Sequence, residues 1–330
     1  MTSPVLQTPE LLEHILTSTA ASGISEAHAV QTLWSGYGQI VRLILEYDDK
    51  GLIDKPSSVI VKHVQPPTSS NHPRGWNTNT SMQRKLDSYR IEAYWYRHYV
   101  ESCRTLCAMP RHFDSHSSGD QTWLIIEDLD RNYPGRHSQL DVETCKPCLH
   151  WLARFHGYHL QSPGEGLWRT GTYWYLQTRQ EELNAMKPGK LKDAASLLDA
   201  KLNNCQFKTL VHGDAKVANV CFSENNTDVA MVDFQYVGKG CGIRDVMYFL
   251  SSALTDSECE QYSSQLLDVY FTELLNYLPA TLGQAVVTEW RGLYATAWAD
   301  FHRFLEGWMP GHYKIHGYTQ RMTEQALTEL

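Results

Sequence analysis

No apolar run in the 330-residue chain approaches the ~20 residues that a membrane-spanning helix needs, so membrane insertion is not expected. The N-terminus lacks the basic start and apolar core of a signal peptide, which sets the expectation of a cytoplasmic protein. Positive charge is in deficit. The net charge is −8, and general nucleic-acid binding, which needs a basic surface to neutralise phosphates, is not expected. Cysteine is scattered rather than dense. Among eight cysteines, Cys145-Lys146-Pro147-Cys148 is the one CxxC, with no second pair for zinc and no preceding βα pattern for a thioredoxin-like site. These cysteines read as buried or idle thiols. Internal repeats and low-complexity tracts are also missing. What remains is an ordinary globular composition, 42% hydrophobic and 20% charged, in a chain long enough for two lobes sharing a cleft.

The texture changes along the chain. Residues 8–22 have an amphipathic helical pattern, with Thr8 as N-cap and Glu10 and Glu13 in the first turns. Gln39–Glu46 and Ser58–Val64 read as strands of an antiparallel sheet, separated by turn residues at 47–51. Residues 65–81 read as a long loop, and a helix is expected from about Met82 to Ser102. Thr105–Met109 and Thr122–Glu127 read as further strands. Asp128–Arg136 is the expected boundary, giving an N-terminal lobe over 1–127, a linker over 128–136 and a C-terminal lobe over 137–330. Beyond it Val142–Leu160, residues 174–203 and most of 244–330 are expected to be helical, with short strands at Thr209–His212 and Val229–Val232.

Two segments carry chemistry. Leu210-Val211-His212-Gly213-Asp214, followed by Asn219, and Met231-Val232-Asp233-Phe234 each place a carboxylate at the end of a short apolar run. Strand ends can aim side chains into a cleft while the strand stays anchored in the core. Phosphoryl transfer from ATP needs a base to orient the acceptor hydroxyl, and hard oxygen ligands for the metal that bridges the phosphates. Asp214, Asn219 and Asp233 supply those groups. The offset from Asp214 to Asn219 is that of the kinase catalytic loop H-x-D-x-x-x-x-N, and Lys216 can reach the transferring phosphate.

With His212–Asn219, Val232-Asp233-Phe234-Gln235, Gly240–Leu250 and Leu152-Ala153-Arg154-Phe155-His156, the chain resembles the aminoglycoside phosphotransferase and choline kinase superfamily. Within it the chain looks closest to the ecdysteroid-kinase-like branch. The resemblance implies an α+β, bilobal protein-kinase-like fold. An N-lobe antiparallel sheet with a helix and a larger, mostly helical C-lobe would hold ATP in the cleft between them. It implies ATP and Mg²⁺ as cofactors and a small-molecule hydroxyl as acceptor. Asp214 becomes the base, with Lys216 beside it, and Asn219 and Asp233 the metal ligands. Lys62 becomes the strand lysine that grips phosphates, and Glu92 the helix glutamate that holds it. Gly36 and Gly38 occupy the place of the glycine hairpin. Glu127 and Leu129 lie where a hinge contacts adenine. Asp245 is expected to brace the catalytic loop.

Competing readings remain. A pseudokinase would bind nucleotide without turnover, but such proteins usually lose the lysine, the base or the metal aspartate, and all three are present. A protein kinase is disfavoured because no Ala-Pro-Glu follows Asp233. His112, His116, His150, His156 and His159 are expected to be structural or surface residues. The aromatics of Trp290–Tyr318 recur at helical spacing, either as a packed face or as the wall of an acceptor pocket that, with Asp300 nearby, holds a cationic or flat hydrophobic substrate.

Overall fold

The computed structural model describes residues 7–33, 36–48, 55–65 and 79–330. Residues 49–51 of the expected turn at 47–51, most of the expected loop at 65–81 and the pair Trp34-Ser35 lie outside them. The chain divides into two compact units, Met1–Thr105 with Met109–Asn132, and Leu106–Ala108 with Tyr133–Leu330. The division after Asn132 falls inside the 128–136 segment. No helix among the described residues is long and apolar enough to cross a membrane.

The first unit is a sheet with helices. In order it contains α1 (Pro9–Thr19), β1 (Gly23–Thr32), β2 (Gly38–Glu46), β3 (Ser58–Val64), α2 (Asn79–His98), the short α3 (Val100–Cys103), β4 (His112–Ser118) and β5 (Gln121–Glu127). The strands form one antiparallel sheet in the order β1-β2-β3-β5-β4. Side chains alternate between its faces. Val41, Leu43, Leu45, Val59 and Val61 point one way and form a core with Leu11 and Ile15 of α1 and with Trp123 and Ile125 of β5. Each such aliphatic side chain contributes about 1.5–3 kcal/mol on burial. Lys62, one residue on from Val61, takes the opposite face. There Val64 packs with Tyr89 of α2. Arg42 uses that alternation too, donating to both carboxylate oxygens of Asp128 at 2.6 and 3.1 Å and also to Asp130, which fixes the stretch after β5.

The strand expected at Thr105–Met109 does not form. That stretch is turn and irregular chain, and Ala108 instead offers its carbonyl to Trp151 Nε1 at 2.8 Å and to the Met231 N–H at 3.1 Å. The fourth strand is His112–Ser118, whose polar sequence hides it. It is held by pairing with β5.

The second unit is mostly helical. It contains α4 (Val142–Tyr158), α5 (Gln180–Ala185), α6 (Lys190–Asp193), α7 (Ala195–Asn203), β6 (Thr209–Val211), β7 (Val220–Phe222), β8 (Val229–Met231) and β9 (Gly238–Gly240). Then follow α8 (Ile243–Ala253), α9 (Asp256–Leu275), α10 (Gly283–Gly292), α11 (Tyr294–Trp308) and α12 (Gly317–Thr328). Asp141 caps α4 by accepting from the Thr144 N–H at 2.7 Å. The helical stretch expected at 174–203 is broken, because Pro188 and Gly189 interrupt it between α5 and α6. All eight cysteines are free and buried. Burial pushes the Cys145 thiol up to about 12 and the Cys148 thiol well above its ordinary value, so both are inert at neutral pH. Among the described residues no cluster of three or more His, Cys, Asp or Glu could hold a metal.

His159, just past α4, is 5% exposed and packs on the Phe155 ring. Burial, helped by His156, lowers its pKa to about 3. The unfolded chain therefore binds a proton there, below an ordinary pKa of about 6.5, that the folded chain refuses. Stability is complete above that value and falls with acidification, by about 2 kcal/mol at pH 5 from this group. His159→Leu is expected to show a smaller fall in denaturant midpoint from pH 7.5 to pH 5 than wild type. An unchanged fall would contradict the assignment.

Candidate active site

In the first unit, the face opposite the Leu11–Ile15 core carries a buried ion pair. Lys62 Nζ on β3 donates to Glu92 Oε2 on α2 at 2.6 Å, with the two residues 6% and 3% exposed. The ammonium also sits 5.4 Å from the centre of the Tyr89 ring. Gly36 and Gly38 lie at the β1–β2 turn. Gly38 has φ +136°, and a Cβ there would lie 2.0 Å from the His63 carbonyl oxygen. Close approach to β3 thus requires glycine at 38. Glu127 ends β5, where it bonds Arg111 through backbone and side chain at 2.9 and 3.0 Å, and Leu129 opens the 3₁₀ turn that follows.

In the second unit the catalytic-loop candidates converge around one buried carboxylate. Asp245 on α8 accepts from the His212 N–H at 2.5 Å, the Gly213 N–H at 3.0 Å and His156 Nε2 at 3.2 Å. His156 in turn bonds the Tyr270 hydroxyl through Nδ1 at 2.8 Å. Gly213 has φ +79°, and a Cβ there would lie 2.2 Å from the Tyr236 carbonyl oxygen. His212 Nε2 bonds the Val232 carbonyl at 3.0 Å, and its Nδ1 accepts from the Asp214 N–H at 3.3 Å. That pattern needs the neutral Nε2–H tautomer, and burial lowers the ring's pKa accordingly. His212 is a brace for the loop.

Asp214 is thereby presented at the loop's edge, 6% exposed. Its Oδ2 accepts from Lys216 Nζ at 2.9 Å and from Asn219 Nδ2 at 3.2 Å, and Asn219 Nδ2 also donates to the Asp214 carbonyl at 2.9 Å. Two oxygen partners on that nitrogen orient the amide, so that Oδ1 is the atom of Asn219 that could face a cation. Burial pulls the Lys216 pKa down, but Asp214 and then Asp233 outweigh it and hold it above its ordinary value.

Pairing of β7 with β8 brings the second segment in. Asn219 immediately precedes β7, Val232 immediately follows β8, and the Val232 N–H bonds the Asn219 carbonyl at 3.0 Å. Asp233 then adopts φ +70°, a left-handed conformation rare for a side-chain-bearing residue. Phe234 anchors the strained link against the His212 ring at 4.5 Å, and Gln235 Nε2 donates to Asp233 Oδ1 at 2.5 Å. A carboxylate and an amide oxygen form a hard donor set of the kind Mg²⁺ takes, with waters completing the shell.

Asp214 opens onto a cavity of about 490 Å³ within this unit. Tyr173, Tyr236, Tyr248, Phe301 and Trp308 form its aromatic wall. The C-terminal aromatics thus split: Trp290, Tyr294 and Trp298 pack in the core, whereas Phe301 and Trp308 reach the cavity. Asp300 does not hold a cation for a ligand. Arg303 donates to it at 2.6 Å and Trp174 Nε1 at 3.0 Å, all fully buried. Tyr248 was not singled out in the sequence, although it lies three residues after Asp245 and hence on nearly the same helix face. Its phenol is raised by burial and by Tyr173 and Asp214. Lys314, also missed, enters the cavity from the loop between α11 and α12. Its pKa is lowered to about 7, by burial first, against the pull of Asp214.

Residues 171–282, which include the loop, Asp233 and Asp245, match the profile of the Ecdysteroid kinase-like family. The resemblance read from the sequence is borne out over about a third of the chain, the part that carries the His212–Asn219 loop. No curated protein matches the chain. Among solved structures, the Plasmodium vivax ethanolamine kinase aligns with TM-score 0.50 at 12% identity, covering 97% of this chain and 88% of that one. An aminoglycoside phosphotransferase from Streptomyces rimosus, in complex with ADP and streptomycin, aligns with TM-score 0.47 at 12% identity, covering 87% and 98%. A choline/ethanolamine kinase family protein from Mesorhizobium loti gives 0.45 at 9%, covering 99% and 95%. At these identities the likeness concerns the fold, and of the three the ethanolamine kinase supports it. The expected kinase-like fold, a sheet-bearing unit followed by a mostly helical one, is thus confirmed.

Asp245→Ala would leave two buried N–H groups and His156 without their acceptor. At about 1–3 kcal/mol per orphaned group, the expected loss is about 3 kcal/mol or more, read as a lower urea midpoint. A midpoint equal to wild type would remove Asp245 from this bracing role.

Proposed function

We propose that the protein is a phosphotransferase that uses ATP and Mg²⁺ and moves the γ-phosphate to a hydroxyl of a small molecule. The observation that carries the reading is the setting of Asp214. A buried carboxylate is clamped by Lys216 and Asn219 on a braced loop, and it opens onto an aromatic cavity of about 490 Å³. That volume suits a metabolite-sized ligand. The family profile over residues 171–282 supports kinase chemistry for the same loop.

In this reading Asp214 accepts the hydrogen bond of the acceptor hydroxyl and takes its proton as the phosphoryl group arrives. Lys216, kept charged by Asp214 and Asp233, offsets negative charge on the transferring group. Asn219 Oδ1 and the Asp233 carboxylate would hold Mg²⁺, which when bound would supply charge neutralisation for the phosphate oxygens. Lys62, fixed by Glu92, grips the other phosphates. Gly36 and Gly38 line their approach, and the backbone at Glu127 and Leu129 meets the adenine. The aromatic wall favours an acceptor with an apolar body.

The test follows ADP release with ATP and Mg²⁺ across a set of alcohol and amino-alcohol metabolites. Asp214→Asn is expected to lower kcat by about 100-fold or more on any acceptor that wild type turns over. A variant as fast as wild type would sink the assignment. Absence of turnover by wild type, with ATP·Mg²⁺ still raising its melting temperature, would favour a nucleotide-binding module without activity.

A further inference from the structure

Lys314 is the unexplained charge of the cavity. It sits on the loop between α11 and α12, yet its backbone is pinned on both sides. Its N–H bonds His312 Nδ1 at 3.2 Å, and its carbonyl accepts from the Thr319 hydroxyl at 2.6 Å. The residue is 5% exposed. Its ammonium lies 4.6 Å from the centre of the Tyr248 ring and 5.6 Å from that of Phe301, two residues of the aromatic wall. Among the described residues it makes one hydrogen bond, to Ser251 Oγ at a long 3.3 Å. An ammonium has three donors, and burying it without charged or polar partners is costly. Its neighbour Lys216 is matched by Asp214, whereas among the described residues no carboxylate comes within ion-pair distance of Lys314, and Asp214 only partly offsets its burial.

We infer that Lys314 is a specificity-determining residue that receives an anionic oxygen group, such as a carboxylate, of an acceptor whose hydroxyl meets Asp214. The inference rests on the proposed phosphotransfer reading for the role of that hydroxyl, but the recognition it describes is a binding property. A carboxylate in the cavity supplies the acceptors that the ammonium lacks. The apolar body between the two ends lies against Tyr248 and Phe301. A cationic amino alcohol fares worst, because it meets the Lys314 charge while Asp214 is engaged by Lys216 and Asn219, and Asp300 is closed off by Arg303 and Trp174. Burial lowers the pKa of Lys314 to about 7, and a carboxylate beside it would raise that value.

Three probes share one aromatic body and one primary hydroxyl: para-hydroxymethylbenzoate, para-hydroxymethylbenzamide and para-hydroxymethylphenyl-trimethylammonium. Their binding to the full chain is measured by calorimetry at pH 6.5, with no nucleotide present. Wild type is expected to bind the carboxylate at least tenfold tighter than the amide, and the amide tighter than the ammonium. Lys314→Met keeps the aliphatic stem and removes a buried charge, so it is expected to fold, as its melting temperature checks. In that variant the carboxylate-to-amide ratio should fall to about one. A wild-type protein that binds the carboxylate no better than the amide, or not at all, overturns the inference. So does a ratio that survives in Lys314→Met. Turnover is not read, so a protein inactive as a kinase that still shows the ratio and its loss supports the inference while sinking the activity.

Discussion

The buried carboxylate of Asp245 is the interaction on which the site depends. A three-residue strand, β6, cannot by itself hold the loop that follows it. Asp245 gathers the two N–H groups at the start of that loop and ties them to His156 on α4. Its charge is fully buried, and that is tolerable because three donors converge on it. The loop in turn carries His212, whose neutral ring bridges to Val232 and so fixes where Asp233 begins. Asp214, Asn219 and Asp233 are therefore positioned by one chain of contacts rather than by three independent ones.

A short hairpin completes the arrangement. Pairing of β7 with β8 converts a separation of fourteen residues between Asn219 and Asp233 into adjacency at one strand end. The strained backbone at Asp233 is held by Phe234 packed into the α4 aromatic cluster with Trp151 and Phe155. Order in the core is thus converted into precision at the loop. The cavity follows the same logic on its other side, where α8 and α11 contribute Tyr248 and Phe301 from buried faces.

How much of this was legible depends on how local the signal is. His212 to Asn219 spans eight residues, and its spacing is itself the chemistry, so the loop could be read directly. Lys62 and Glu92 needed a resemblance to be paired, because thirty residues and a change from strand to helix separate them; the structure does bring them together at 2.6 Å. The strand at His112–Ser118 was missed because its residues are polar and its stability comes from β5. Thr105–Met109 was misread as a strand because apolar content alone does not say where backbone groups will bond. Lys314 carries no local mark. A lysine in an aperiodic loop reads as solvated, and only the packing of α8, α11 and α12 around it makes it a buried cation. Asp300 erred in the other direction, since proximity to aromatics in sequence said nothing of the arginine that neutralises it.

The central claim is that Asp214 and its neighbours direct a phosphoryl group onto a hydroxyl. Phosphorus NMR of wild-type protein with ATP, Mg²⁺ and a mixture of alcohols, hydroxy acids and amino alcohols tests it most directly. The account predicts that ADP and a new phosphate monoester appear in equal amounts. ATP left unchanged across the whole mixture, or inorganic phosphate as the sole product, would contradict it.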